Sequence, residues 1–101
     1  MRVEWTTNAI GDLTAIYEYI AKDSPRYAVA TVDRLIGRTS QLCDHPLSGQ
    51  QVTEYRRNDL RELIEGVYRL IYHVTDDRIE ILTVVHGASL LAVRLPIQRD
   101  T

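Results

Sequence analysis

Apolar and polar residues along the chain follow two periods, and the change from one to the other divides it into a helical half and a strand half. At the start, Arg2-Val3-Glu4-Trp5 alternates and places Val3 and Trp5 on one face of a short strand. The period then lengthens. Ala9, Leu13, Ile16, Tyr17 and Ile20 follow at spacings of four, three, one and three, which puts them on a single helical stripe. Ahead of them, Thr6-Thr7-Asn8 offers side-chain oxygens for the first unpaired helical N–H groups. This helix is expected to end near Lys22. Ser24-Pro25 restarts the chain, with Ser as a cap and Pro preorganised for the first helical position. Ala28, Val32, Leu35, Ile36, Thr39 and Leu42 carry the helical spacing on until Asp44-His45-Pro46 and Ser48-Gly49 end it. Two helices joined by so short a connection predict an antiparallel helical hairpin.

The second half returns to a period of two. Residues 50–58 show little periodicity and read as a loop, with a strand inside 59–64 and Glu65-Gly66 turning the chain back. Residues 67–74 and 78–86 are rich in Val, Ile, Leu and Tyr and flank Thr75-Asp76-Asp77, a β-hairpin whose turn suits Asp. Strict alternation sets Tyr68, Leu70, Tyr72 and Val74 against Arg69, Ile71 and His73. In the second run it sets Ile79, Ile81, Thr83 and Val85 against Glu80, Leu82, Val84 and His86. Apolar residues on both faces make both strands central. The apolar run 88–95, ending at Pro96, fits a short helix or an edge strand. The expected fold is α+β: an N-terminal strand, then a helical hairpin packed on one face of a mainly antiparallel sheet, in one domain over 1–101. Two helices cover only one face, so a partner segment is expected on the other.

Composition narrows the chemistry. With 101 residues and 45 % hydrophobic content the chain can bury a core without a metal or disulfide. Cys43 is alone, and is expected to be reduced and packed as a small apolar residue. No signal-like or membrane-length apolar run occurs, which points to the cytoplasm. A net charge of -2 lacks the positive field of a nucleic-acid binder. Arg56, Arg57, Arg61 and Arg69 nevertheless stand close together among Glu54, Asp59, Glu62 and Glu65. They read either as surface ion pairs or as a patch for an acidic partner. Arg69, between Tyr68 and Tyr72, has the same two readings, and Glu62 and Glu65 are expected to be solvated. His45, His73 and His86 lack metal-ligand spacing, so neither a metal nor a cofactor is expected, and His86 reads as a hydrogen-bonded strand end before it reads as a general base.

The element order, together with Asp12-Leu13, Tyr19-Ile20, His45-Pro46, Gly49, Arg61-Glu62-Leu63, Tyr68-Arg69-Leu70-Ile71-Tyr72 and His86-Gly87-Ala88, resembles the RelE/ParE toxin superfamily. The Tyr-Arg-x-Ile-Tyr and His-Gly-Ala pieces are closest to its ParE branch. The resemblance implies a type II toxin that poisons DNA gyrase, has no catalytic residues, and is neutralised in a hetero-oligomer by a cognate antitoxin. Candidate contacts to target or partner are Arg56, Arg57, Arg61, Tyr68, Arg69, Tyr72 and His86. The RelE branch implies instead a ribosome-dependent mRNA endonuclease, for which Arg61, Arg69 and His86 would be the catalytic set. Against it, that branch's lysines have no counterpart in Leu60-Arg61-Glu62-Leu63, and Ser89 and Leu95 stand where it carries an arginine and a tyrosine. A module that binds an antitoxin without being toxic is the third reading.

Overall fold

The computed structural model describes residues 1–87. The chain runs β1 (Arg2–Trp5), α1 (Thr7–Ala21), α2 (Pro25–Arg38), a 3₁₀ turn (Thr39–Cys43), β2 (Gln50–Gln51), β3 (Leu60–Glu65), β4 (Tyr68–Val74) and β5 (Arg78–His86). The expectations for 88–95, Ser89 and Leu95 lie outside the described residues.

Both helices start on the expected caps. Thr6 accepts a hydrogen bond from the Ala9 N–H and Ser24 from that of Tyr27, with Pro25 opening α2. The helical spacing of α2 outlasts the α-helix itself, which ends at Arg38 and tightens into the 3₁₀ turn. Ala9, Leu13, Ala28, Leu35 and Leu42 are buried, whereas Tyr17 and Ile36 are exposed. Each of these two follows an inward residue, Ile16 or Leu35, by one position, and a rotation of about 100° per residue carries it off the core stripe.

The sheet has five strands in the order β1-β5-β4-β3-β2, with β1 parallel to β5 and the other pairs antiparallel. β4 and β5 are interior, as their two-sided apolar pattern requires. β2 corrects the reading of 50–58 as loop throughout: Gln50 and Gln51 pair with Glu62 and Arg61. The β3–β4 turn needs its glycine, since Gly66 has φ 58°. The β4–β5 turn needs no left-handed aspartate. Thr75 closes it, its hydroxyl donating to the Arg78 carbonyl (2.8 Å) and accepting from the Arg78 N–H (3.1 Å).

β5 does not alternate strictly. Ile71 pairs with Thr83 and Tyr72 with Ile81, so Leu82 is an extra residue, a β-bulge. Beyond it the faces exchange: Val84 joins Ile79 and Ile81 in the core beneath the helices, and Val85 joins Leu82 on the other face. The residues leading into α1 hold the bulge. Thr6 donates to the Ile81 carbonyl (2.8 Å) and Asn8 to that of Leu82 (2.9 Å). Within the helix, Asp12 accepts from the Thr83 hydroxyl (2.5 Å) and the Val84 N–H (3.0 Å).

The main core lies between helices and sheet, around Leu13, Leu35, Leu42, Leu63, Leu70, Tyr72, Ile79 and Ile81. A second cluster, Val52, Leu60, Ile71 and Leu82 with Tyr55 and Val85 against it, occupies the outward face. The chain's own strap between β2 and β3 therefore covers apolar surface there that the sequence suggested a partner would cover. Cys43 is exposed, contrary to its expected packing, because it falls at the solvent side of the 3₁₀ turn next to buried Leu42. Among the described residues no helix is long and apolar enough to cross a membrane.

Candidate functional site

Arg69 lies on the outward face of β4, paired with Ile64 of β3 and Val85 of β5. The β3–β4 register brings Glu62, on the same face, diagonally beside it, and the strap adds Glu54. One side of the guanidinium, Nε and Nη2, donates to a single oxygen of Glu62 (3.0 and 2.5 Å). The outer edge, Nη1 and Nη2, meets both oxygens of Glu54 (2.9 and 3.0 Å), the bidentate geometry a carboxylate prefers. The side chains of Arg69 and Glu62 are only 10 % and 7 % exposed, while that of Glu54 is 26 % exposed. A charge so buried must be paired to be tolerated. The Arg69 hydrogen bonds hold the Glu54 carboxyl at a pKa of about 2, and the two carboxylates raise that of Arg69. Glu62 is thus not the solvated charge its sequence context suggested. Glu65 is half-buried beside Arg38 (3.5 Å).

The other candidates lie elsewhere. Arg61 turns to the opposite side of β3, donating to the carbonyls of Gly49 and Asn58 (each 3.0 Å) and to the Asn58 side chain. Tyr72 is fully buried beside it; its hydroxyl donates to the Pro46 carbonyl (2.8 Å) and accepts from the Gly49 N–H (2.9 Å), and burial raises its pKa. Together they clamp the loop that enters β2. Gly49 is obligatory at this clamp, since a Cβ there would stand 2.5 Å from the Glu62 carbonyl and 2.6 Å from the Tyr72 hydroxyl. Arg57 pairs with Asp59 (2.7 Å) in a ladder of charges across the sheet that continues through His73 (2.8 Å), Glu80 (3.6 Å) and Arg78 (3.2 Å) to Glu4 on β1 (3.6 Å). The Arg57 hydrogen bonds, helped by His73, lower the Asp59 pKa to about 2. Tyr68 and His86 face each other at the far end of β4 and β5, their rings edge to face at 6.1 Å. Arg56 is exposed on the strap.

The seven candidates therefore divide among four places. Arg61 and Tyr72 share the clamp, and Arg69, Tyr68 and His86 share a groove of about 550 Å³ also lined by Glu62, Ile64, Gly66, Val67 and Gly87. Ile64 and Val67, 45 % and 55 % exposed, give it an apolar floor that charge and motif did not point to. Glu62 had a legible signal: once Gly66 sets the hairpin, pairing of Ile64 with Arg69 follows, and Glu62 must share Arg69's face. Among the described residues no group of three or more His, Cys, Asp or Glu is arranged to hold a metal ion. Chemically the groove offers anion recognition beside an apolar floor, with its arginine already engaged.

The family described as ParE toxin of type II toxin–antitoxin system, parDE, matches residues 3–91. Toxin RelE2 of Caulobacter vibrioides is 36 % identical over 90 residues, covering 88 % of this chain and 98 % of that protein. Among solved structures, a chain of the chromosomal ParDE toxin–antitoxin system from P. aeruginosa superposes with a TM-score of 0.71 at 25 % identity, covering 85 % of this chain and 95 % of that one. A chain of the toxin–antitoxin complex RelBE2 from Mycobacterium tuberculosis superposes with a TM-score of 0.53 at 28 % identity, covering 84 % and 95 %.

Proposed function

The chain belongs to the ParE toxin family of type II toxin–antitoxin systems, and we propose that it acts as a non-enzymatic inhibitor of DNA gyrase, held inactive by an antitoxin partner. One observation carries the choice of target. A ribosome-dependent nuclease needs cationic side chains that reach substrate phosphates, and the two arginines best placed for that role are engaged within the protein. Arg69 is 10 % exposed between Glu54 and Glu62. Arg61 is bonded to main-chain carbonyls. The net charge of -2 supports the same reading, because ribosomal RNA is a polyanion. The proposal includes a cytoplasmic location and one toxin domain over 1–101.

The antitoxin partner is supported by the two structural relatives, one from a ParDE toxin–antitoxin system and one from a RelBE2 toxin–antitoxin complex. Exposed Tyr27, Ile64 and Val67 leave it apolar surface to cover at the β3–β4 end. Co-expression with the adjacent reading frame is expected to give one co-eluting complex, and separate elution at micromolar concentration would remove the antitoxin from the proposal. For the target, purified protein is expected to block supercoiling by gyrase and to leave mRNA on translating ribosomes intact. Ribosome-dependent cleavage that disappears in a folded Arg69→Ala variant would replace the inhibitor with an enzyme.

A further inference from the structure

We propose that the outer edge of the Arg69 guanidinium is a carboxylate-binding site which the protein closes with its own Glu54, and that an acidic segment of a partner protein opens it by displacing Glu54. The inference goes beyond the gyrase assignment and does not depend on it.

Charge is the first ground. Glu62 alone neutralises Arg69, binding it through Nε and Nη2 from a buried position. Glu54 is a second carboxylate on a cation that already has one, and it takes the edge formed by Nη1 and Nη2. Its departure leaves no uncompensated buried charge, whereas loss of Glu62 would leave the Arg69 node resting on a loop residue. The second ground is mobility of attachment. Glu54 belongs to the strap between β2 and β3 and makes no ladder pair there; besides Arg69 its carboxylate is held by local contacts only, its own backbone N–H and the Thr53 hydroxyl (3.0 Å). The strap is tied down by Val52 and Tyr55 on the outward apolar cluster, so Glu54 can swing away without unseating it.

The third ground is the groove itself. It runs from Arg69 past exposed Ile64 and Val67 to Tyr68 and His86, which suits a segment carrying an apolar side chain beside a carboxylate. A nucleic acid fits less well. One guanidinium edge meets one phosphate, and the apolar floor with Glu62 in its lining repels a backbone that needs several cations.

Fluorescence polarisation with a short labelled peptide alternating leucine and glutamate tests the proposal. Glu54→Gln is expected to bind it on the order of tenfold more tightly than the wild type, as expected when a latch closed about nine-tenths of the time is removed. Glutamine in place of the peptide's glutamates should abolish binding, and the surface change Ile64→Glu should reverse the gain. Equal affinity of wild type and Glu54→Gln, or tighter binding of a short oligouridylate than of the peptide, would overturn the proposal. Should Glu54→Gln not fold, carbon-13 NMR of the wild-type carboxyl groups decides. Saturating peptide should raise the Glu54 carboxyl pKa toward its ordinary value and leave amide exchange of the strap and of the β4–β5 ladder unchanged, and a Glu54 pKa unmoved by peptide would refute displacement.

Discussion

Tyr72→Phe removes one oxygen from the interior and leaves the ring that packs beneath the helices in place. That hydroxyl is the shared partner of the Gly49 N–H (2.9 Å) and the Pro46 carbonyl (2.8 Å), at a residue with no exposed surface. Without it, a buried donor and a partly buried acceptor lose their partner. Each such group costs about 1–3 kcal/mol, with the partly buried Pro46 carbonyl at the low end, and the retained ring avoids a cavity, so the expected loss is about 2–4 kcal/mol. A chain of 101 residues has a total stability of about 5–15 kcal/mol, so the variant should fold with a clearly weakened transition. With a urea slope of about 1.5 kcal/mol per M, the midpoint should fall by about 1–3 M at unchanged slope. Tyr72 also makes an alkaline prediction. Burial raises its folded pKa above the ordinary 10.0. The group thus stabilises the fold fully below about pH 10 and loses that contribution as pH rises through the folded value. The Phe variant should lack this alkaline loss. A midpoint shift smaller than about 0.3 M would mean that water or loop movement satisfies both groups, and would refute the clamp.

Asp12→Ala should destabilise the fold by about 1–3 kcal/mol, since the Val84 N–H and Thr83 hydroxyl at the bulge lose their acceptor; a lowered melting temperature with faster exchange of the Val84 amide checks it. Ile71→Asp should unfold the protein, because it sets an unpaired carboxylate among Val52, Leu60 and Leu82 at a cost of several kcal/mol; a denaturant midpoint like that of the wild type would move this residue to the surface. Glu54 and Asp59 have folded pKa values lowered to about 2 from 4.5 and 3.8. A lowered folded pKa gives stability that is present above the unfolded value and lost as pH falls through the folded one, so stability should decline between about pH 5 and 2. Urea midpoints across that window should fall less steeply in Glu54→Gln and Asp59→Asn, and slopes equal to the wild type's would disprove the assignment.

Periodicity made the larger elements legible because each buries one continuous stripe or face. The caps at Thr6 and Ser24, the Gly66 turn and the central position of β4 and β5 all follow from short-range rules that the chain obeys. What escaped has a different origin. β2 is two residues of glutamine, Gln50 and Gln51, too short to show a period and held in place by Arg61 and Tyr72 acting on Gly49. The bulge at Leu82 is invisible in a run of nine apolar and polar residues that alternate acceptably in either register. It is set from outside, by Thr6, Asn8 and Asp12. That long-range clasp exchanges the faces of Val84 and Val85, which no local pattern could announce.

The arginines show why nearness in sequence is a poor guide to a site in a strand protein. Arg61 and Glu62 are adjacent, yet alternation sends them to opposite sides of β3, so one clamps a loop and the other neutralises Arg69. Arg57 joins the charge ladder at the opposite end of β4 from Tyr68 and His86, because His73, the partner of Asp59, and Tyr68, the partner of His86, stand near opposite ends of the seven-residue β4. A set of four nearby cations therefore makes no continuous positive surface. The grouping that does form, Arg69 with Glu54, Glu62, Ile64 and Val67, mixes both signs of charge with exposed apolar side chains. Such a surface favours a protein ligand, which can supply a carboxylate and an apolar contact together, over a nucleic acid, whose successive phosphates need several cations.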